Sequence, residues 1–144
     1  MKREVVFVIV GSRKLDAVPA RVLGLIANMP DGTVLNLRKP RSGKPEFFES
    51  AVGAAARAMS IEVRYKEPEG PGRESTYYRD IDMVRGASCV LAFFAEEEMS
   101  GGTEHVVEKA IDQQVPVYSY GLRDGRWVLI GSHDPDDLWP QFTI

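Results

Sequence analysis

Two unbroken apolar runs limit what this chain can fold into. Residues 5–10 read VVFVIV and residues 89–95 read CVLAFFA. Each is too short for a lone helix and rich in residues that fit a pleat, the pattern of a strand buried on both faces. The second run is followed by Glu96, Glu97 and Glu98, then by Ser100, Gly101, Gly102 and Thr103. A helical pattern comes next, with Val106, Val107, Ala110 and Ile111 on one side. The order is strand, glycine loop, helix. The first turn of such a helix has unpaired backbone N–H groups at the positive end of a dipole, which suits an anion. Two glycines let a ligand approach the backbone, and Thr103 either caps the helix or bonds a phosphate oxygen. A plain turn with a capping threonine explains the same residues.

The rest of the chain repeats the alternation. A helix is predicted over 16–29, with Val18, Val22, Leu25, Ile26 and Met29 at helical spacing. A strand over 33–37 runs into the basic loop 38–45, which carries Arg38, Lys39, Arg41 and Lys44. The next helix carries Phe47, Ala51, Val52, Ala55, Ala58 and Met59 on one stripe. Residues 61–65 alternate apolar and polar, so that strand belongs near an edge. The loop 67–72, EPEGPG, leads to a helix over 74–85, with Tyr77, Ile81 and Val84 on one side and Arg79 and Met83 on a neighbouring face. Strands over 115–120 and 126–130 flank Arg123, Asp124 and Gly125 and predict a hairpin. The tail from 131 carries Leu138, Trp139 and Phe142, for packing on the body or on a partner subunit.

Strands alternating with helices predict an α/β fold, a Rossmann-like three-layer α/β/α sandwich. Its sheet is mostly parallel, with a C-terminal antiparallel hairpin. The 144 residues fit a single domain. A net charge of −3 offers no broad basic field, so no nucleic-acid partner is expected. A single cysteine, Cys89, excludes an internal disulfide and fits a reducing cytoplasm; within its apolar run it reads as a core residue. No run of about 18 apolar residues exists to span a membrane. The opening MKREVVFVIVG reads as a first strand and not as a signal peptide. His105 and His133 lack metal-ligand spacing, so neither a metal nor a cofactor is expected.

In open parallel sheets ligands bind beyond the carboxyl ends of the strands, where the strand order reverses. If the strands at 5–10 and 89–95 are neighbours, that crevice lies between Gly11, Ser12, Arg13 and Ser100, Gly101, Gly102, Thr103. Arg38 and Arg41 would lie alongside as an anion clamp, or else as a solvated charged loop.

In this order and spacing, Gly11-Ser12-Arg13, Arg79 to Val84 (RDIDMV), Val90 to Phe94, Gly102-Thr103 and Val115-Pro116-Val117 resemble the SLOG superfamily of Rossmann-like nucleotide-binding domains. That group includes LOG-type nucleotide phosphoribohydrolases and small stand-alone domains of bacteria and their phages. The resemblance covers roughly residues 4 to 120 and implies nucleotide binding and a homo-oligomer, dimer or higher. LOG enzymes carry Pro-Gly-Gly-x-Gly-Thr-x-x-Glu. Here Ser100 stands in place of the proline, one glycine is absent, and Val106 occupies the catalytic glutamate's position. The arginine and methionine of Arg-x-x-x-Met are kept as Arg79 and Met83.

Arg79 is thus a candidate for phosphate binding or catalysis; its alternative is an ion pair with Asp80 or Asp82 on a solvated face. Glu104, on the side of Val107 and Ile111, is a candidate general base or ribose ligand, or a carboxylate favoured by the helix N-terminus. Tyr78, or its neighbour Tyr77, is a candidate to stack on a base, with the other facing the core. The expected function is binding of a nucleotide or nucleotide-derived molecule of ADP-ribose type at the sheet's carboxyl rim, as a sensor or sequestering protein. The alternatives are a nucleotide N-glycosidase using Arg79 with Glu104, and an interaction module with a vestigial pocket.

Overall fold

The two apolar runs lie side by side at the centre of the sheet. The computed structural model describes residues 4–16, 20–40, 45–70 and 72–143. β1 (Val5–Gly11) pairs in parallel with β4 (Cys89–Phe94), Gly11 opposite Phe93. On its other side β1 pairs with β2 (Thr33–Arg38), and β2 with the edge strand β3 (Glu62–Lys66). β4 pairs with β5 (Val117–Arg123), which turns back into the antiparallel β6 (Arg126–His133). The order is β3-β2-β1-β4-β5-β6, so the strand order reverses between β1 and β4.

Alternation along β1 divides the core. Phe7 and Ile9 face one layer, with Val22 and Ile26 of α1 (Ala20–Ala27) and Phe48, Val52 and Ala56 of α2 (Phe47–Ala58). Val8 and Val10 face the other, with Met83 and Val84 of α3 (Arg73–Val84) and Val106, Val107 and Ala110 of α4 (Gly101–Asp112). Beyond α1 and α2 the first face is closed by the tail. Phe142, in the short 3-10 turn Pro140–Thr143, packs edge-on against Phe7 at 5.7 Å, and Trp139 packs against Phe7 at 5.0 Å. Trp139 and Phe142 are therefore spent on the chain's own core, and only Leu138 of the three stays exposed. Residues 131–133, expected in the tail, extend β6. The hairpin turns on Asp124 and Gly125, both at positive φ, the geometry of a two-residue turn.

Two expected faces are rotated. In α2 the buried line is Phe48, Glu49, Val52, Gly53 and Ala56, while Phe47 and Met59 are exposed. Gly53 leaves room for the Tyr65 ring, since a Cβ there would lie 2.1 Å from its hydroxyl. In α3 the buried residues are Asp80, Met83 and Val84, and Tyr77 is exposed. A charged residue inside each buried face displaced the count of apolar positions.

Candidate functional site

At the carboxyl end of β2, Arg38 reaches across the end of β1. Its Nη2 donates to Gly11 O at 2.6 Å, to Glu49 Oε1 at 3.2 Å and to Thr103 Oγ1 at 3.0 Å. Glu49 Oε1 also accepts the Gly11 N–H at 3.1 Å. One guanidinium and one carboxylate thus tie β1, β2, α2 and the first turn of α4 together. Glu49 is 1% exposed, and its Oε2 has no hydrogen-bond partner among the described residues. Such a group is costly unless something else reaches it.

A second buried group stands beside the first. Arg79 Nε donates to Asp80 Oδ1 at 3.0 Å, and Arg79 Nη1 to Lys39 O at 3.2 Å. Asp80 Oδ2 lies 3.0 Å from His105 Nδ1, so one carboxylate serves Arg79 and a histidine of α4. Tyr77 packs on the His105 ring at 4.5 Å. Burial, with the repulsion of nearby Arg38, pushes the Arg79 guanidinium down from its ordinary value against the pull of Asp80 and Glu49. Neither arginine is saturated: Nη1 and Nε of Arg38 and Nη2 of Arg79 make no hydrogen bond to a described residue.

These groups line two cavities. The smaller, about 60 Å³, is bounded by Arg13, Arg38, Lys39, Glu46, Glu49 and Arg79. The larger, about 580 Å³, has the size of a small-molecule site and is walled by Lys66, Glu67, Glu69, Glu74, Tyr78, Arg79 and Asp82. They share Arg79, and the ion pair of Lys39 with Glu67, at 2.9 Å, crosses from one to the other. Their charges differ in sign: four cations against two carboxylates in the first, four carboxylates against two cations in the second.

Several sequence candidates converge here: Arg13, Arg38 and Arg79 line the small cavity, and Tyr78 and Arg79 the large one. Arg13 is largely solvated and lies 3.8 Å from Glu46. The crevice expected between the loops after β1 and β4 is bridged by Arg38, and the open space lies one strand further out, over β2 and β3. Gly11 serves packing, because a Cβ there would lie 2.3 Å from the Phe48 ring. Ser12 holds a local turn, its Oγ accepting the Lys14 N–H at 3.3 Å and its N–H bonding Phe93 O at 2.9 Å. Ser100 is the N-cap residue of α4 but makes no side-chain cap bond. Gly101 takes φ +67°, a conformation that suits glycine. Among the described residues, Gly102 has only Arg38 Nη1 near its missing Cβ, at 3.5 Å. Glu104 is half-buried and lines neither cavity. Arg41 lies outside the described residues. The expected solvated ion pair of Arg79 exists with Asp80, but in the interior, with side chains 9% and 2% exposed. Tyr77 and Tyr78 are both exposed, so neither faces the core.

Sequence reasoning passed over Glu49 and the acidic wall of the large cavity. The available signal for Glu49 was its spacing, one turn before Val52 and Gly53 on the buried line. Among the described residues there is no cluster of three or more His, Cys, Asp or Glu placed to hold a metal, and no helix long and apolar enough to cross a membrane. Cys89 is buried, and burial raises its thiol well above the ordinary range.

The fold is a doubly wound, mostly parallel α/β sheet with polar cavities at the carboxyl rim of its first half. No family model, curated protein or solved structure compared with the chain matches it.

Proposed function

We propose that the paired cavities bind a nucleotide or a nucleotide-derived molecule of ADP-ribose type, and that the protein acts as a sensor or sequestering protein. The observation that carries this reading is the opposed charge of two cavities sharing Arg79. A phosphate group sits in the cationic one, on the unspent N–H groups of Arg38 and Arg79, with Arg13 and Lys39 at its mouth. The nucleoside lies in the acidic one, where carboxylates accept from ribose hydroxyls and base amines and Tyr78 offers a ring face. The motif order that resembles SLOG domains agrees with this reading, and with a homo-oligomer whose contacts come from surfaces other than Trp139 and Phe142.

A hydrolytic reading keeps one supporting observation: Glu74 and Asp82 share the large cavity with Arg79. On that reading these two, or Glu67 and Glu69 in the same cavity, and not Glu104, would activate water there.

Thermal denaturation with AMP, ADP-ribose and inorganic phosphate tests the proposal. A bound ligand at a hundredfold excess over its Kd adds about 2.7 kcal/mol of stability. Stabilisation by AMP that disappears in Arg79→Ala is the expected result. No shift with any member of the panel removes the nucleotide reading. Release of free adenine from AMP favours the hydrolase.

A further inference from the structure

The small cavity is cationic, yet it is lined by a buried carboxylate, Glu49, whose Oε2 has no hydrogen-bond partner among the described residues. A fully ionised phosphate or sulfate presents only acceptors and would be repelled there. At about 60 Å³ the cavity is far smaller than its neighbour of about 580 Å³ and suits a compact tetrahedral anion, so the group that meets Glu49 is the anion held by the arginines. We infer that this cavity selects a phosphate that keeps one proton, with the P–OH donating to Glu49 Oε2 while the remaining oxygens accept from Arg38 and Arg79. The inference rests on the nucleotide reading above and narrows it to a terminal phosphate monoester.

The charged groups around Glu49 are consistent with this arrangement. Arg38 of β2 and the Gly11 N–H of β1 occupy Oε1. Arg79 of α3, Lys39 after β2 and Arg13 after β1 supply positive charge, and Glu46, one turn earlier, is drawn toward Arg13. None of the described residues donates to Oε2. A ligand proton is the missing donor, and in the complex it is shared between Glu49 Oε2 and one phosphate oxygen.

Two consequences distinguish this site from a simple anion hole. A phosphate monoester has its second pKa near 6, so above that pH binding takes up one proton and affinity falls about tenfold per pH unit. Sulfate has no proton to give and loses a charge-assisted hydrogen bond, a penalty of about tenfold or more.

Isothermal titration of the full chain with AMP, inorganic phosphate and sulfate, in buffers of different ionisation enthalpy, provides the test. The expected result is proton uptake on binding AMP at alkaline pH and discrimination against sulfate. Glu49→Gln keeps an acceptor for the Gly11 N–H and places an N–H donor where Oε2 stood. It should bind sulfate and phosphate comparably and lose the pH slope. Equal binding of phosphate and sulfate by the unmodified protein, or AMP binding without proton uptake, overturns the shared proton and leaves the nucleotide reading standing. Unchanged selectivity in a folded Glu49→Gln protein does the same. Should that variant fail to fold, the unmodified protein's selectivity and proton uptake still decide. Failure of AMP and phosphate to bind at any pH sinks both proposals.

Discussion

Arg38 and Thr103, 65 positions apart in the chain, are joined by a hydrogen bond of 3.0 Å across the carboxyl ends of β1 and β4. The bond closes the switch-point crevice with the protein's own cation. The hydroxyl at the start of α4 accepts this bond and keeps its O–H to donate, and Nη1 and Nε of the arginine make no hydrogen bond to a described residue. The same guanidinium neutralises Glu49, so this corner of the fold is an ion pair first and an anion site second.

Breaking that pair from either side leaves a charge stranded in the interior. Arg38→Met should cost about 3 kcal/mol, the low end for removing one member of a buried pair. Glu49→Leu should cost a similar amount. The double variant should cost less than the sum of the two, with a coupling energy above about 1 kcal/mol. Urea denaturation of the four proteins measures this cycle. Simple additivity would mean that Arg38 and Glu49 do not depend on each other.

Gly11 and Gly102 both stood in the sequence beside the expected crevice, and the structure separates them. A methyl group at Gly11 would overlap the Phe48 ring, with atoms 2.3 Å apart. Gly11→Ala should therefore lose about 1–3 kcal/mol, and Phe48→Leu in the same chain should restore part of it. Gly102→Ala meets nothing nearer than 3.5 Å and lies in the first turn of α4, so it should keep its stability or gain up to about 1 kcal/mol. Thermal melting of the three variants checks the ranking.

The sheet was legible because its central strands are buried on both faces and leave continuous apolar runs. The hairpin was legible because Asp124-Gly125 is strong local turn chemistry. Arg13 and Arg38 were legible as cations at the ends of strands, and Arg79, inside α3, through the Arg-x-x-x-Met pattern of the resemblance. Glu49 and Asp80 were not. A buried carboxylate is written in the sequence like a solvated one, and its burial is decided by partners brought by topology: Gly11, 38 positions from Glu49, and His105, 25 positions from Asp80. The same two acids rotated the expected faces of α2 and α3, since a count of apolar positions steps around a charge. The large cavity stayed hidden because much of its wall, Glu67, Glu69, Gly70, Glu74 and Ser75, comes from the loop after β3 and the first turn of α3, which carry no motif; only its Arg79, Asp82 and Met83 side lies in the RDIDMV segment.

Asp80 is the hinge between the anion cavity and α4. Removing it in Asp80→Ala leaves Arg79, 9% exposed, without its buried counter-charge and His105 without its acceptor, and should cost about 3–5 kcal/mol. Asp80→Asn retains hydrogen-bonding groups at both oxygen positions and should cost less. If Asp80 positions Arg79 for phosphate, Asp80→Asn should fold yet bind AMP more weakly. Calorimetric titration of that variant reports the effect, and unchanged affinity would separate Asp80 from the site.

The tail carries its own pH dependence. Asp134 accepts from the Tyr118 hydroxyl, from Trp139 N–H at 2.9 Å and from Leu138 N–H at 3.1 Å. Burial pushes its carboxyl up, but these bonds outweigh burial and hold it below the usual carboxylate value. A carboxyl depressed in the folded state contributes stability that is present above the unfolded value, near 4, and is lost as pH falls through the lower folded value. Protonation should therefore loosen the segment that lays Trp139 and Phe142 on Phe7. The Trp139 indole N–H, which donates to Ser88 O at 3.1 Å, is a local reporter. Its NMR resonance should move toward that of an exposed indole as the solution is acidified below pH about 4, ahead of unfolding of the sheet. In Asp134→Asn the carboxylate is absent, so the acid transition of this resonance should vanish. An indole signal that holds its position until the whole protein unfolds would show that the tail is secured by Phe142 and Trp139 packing alone.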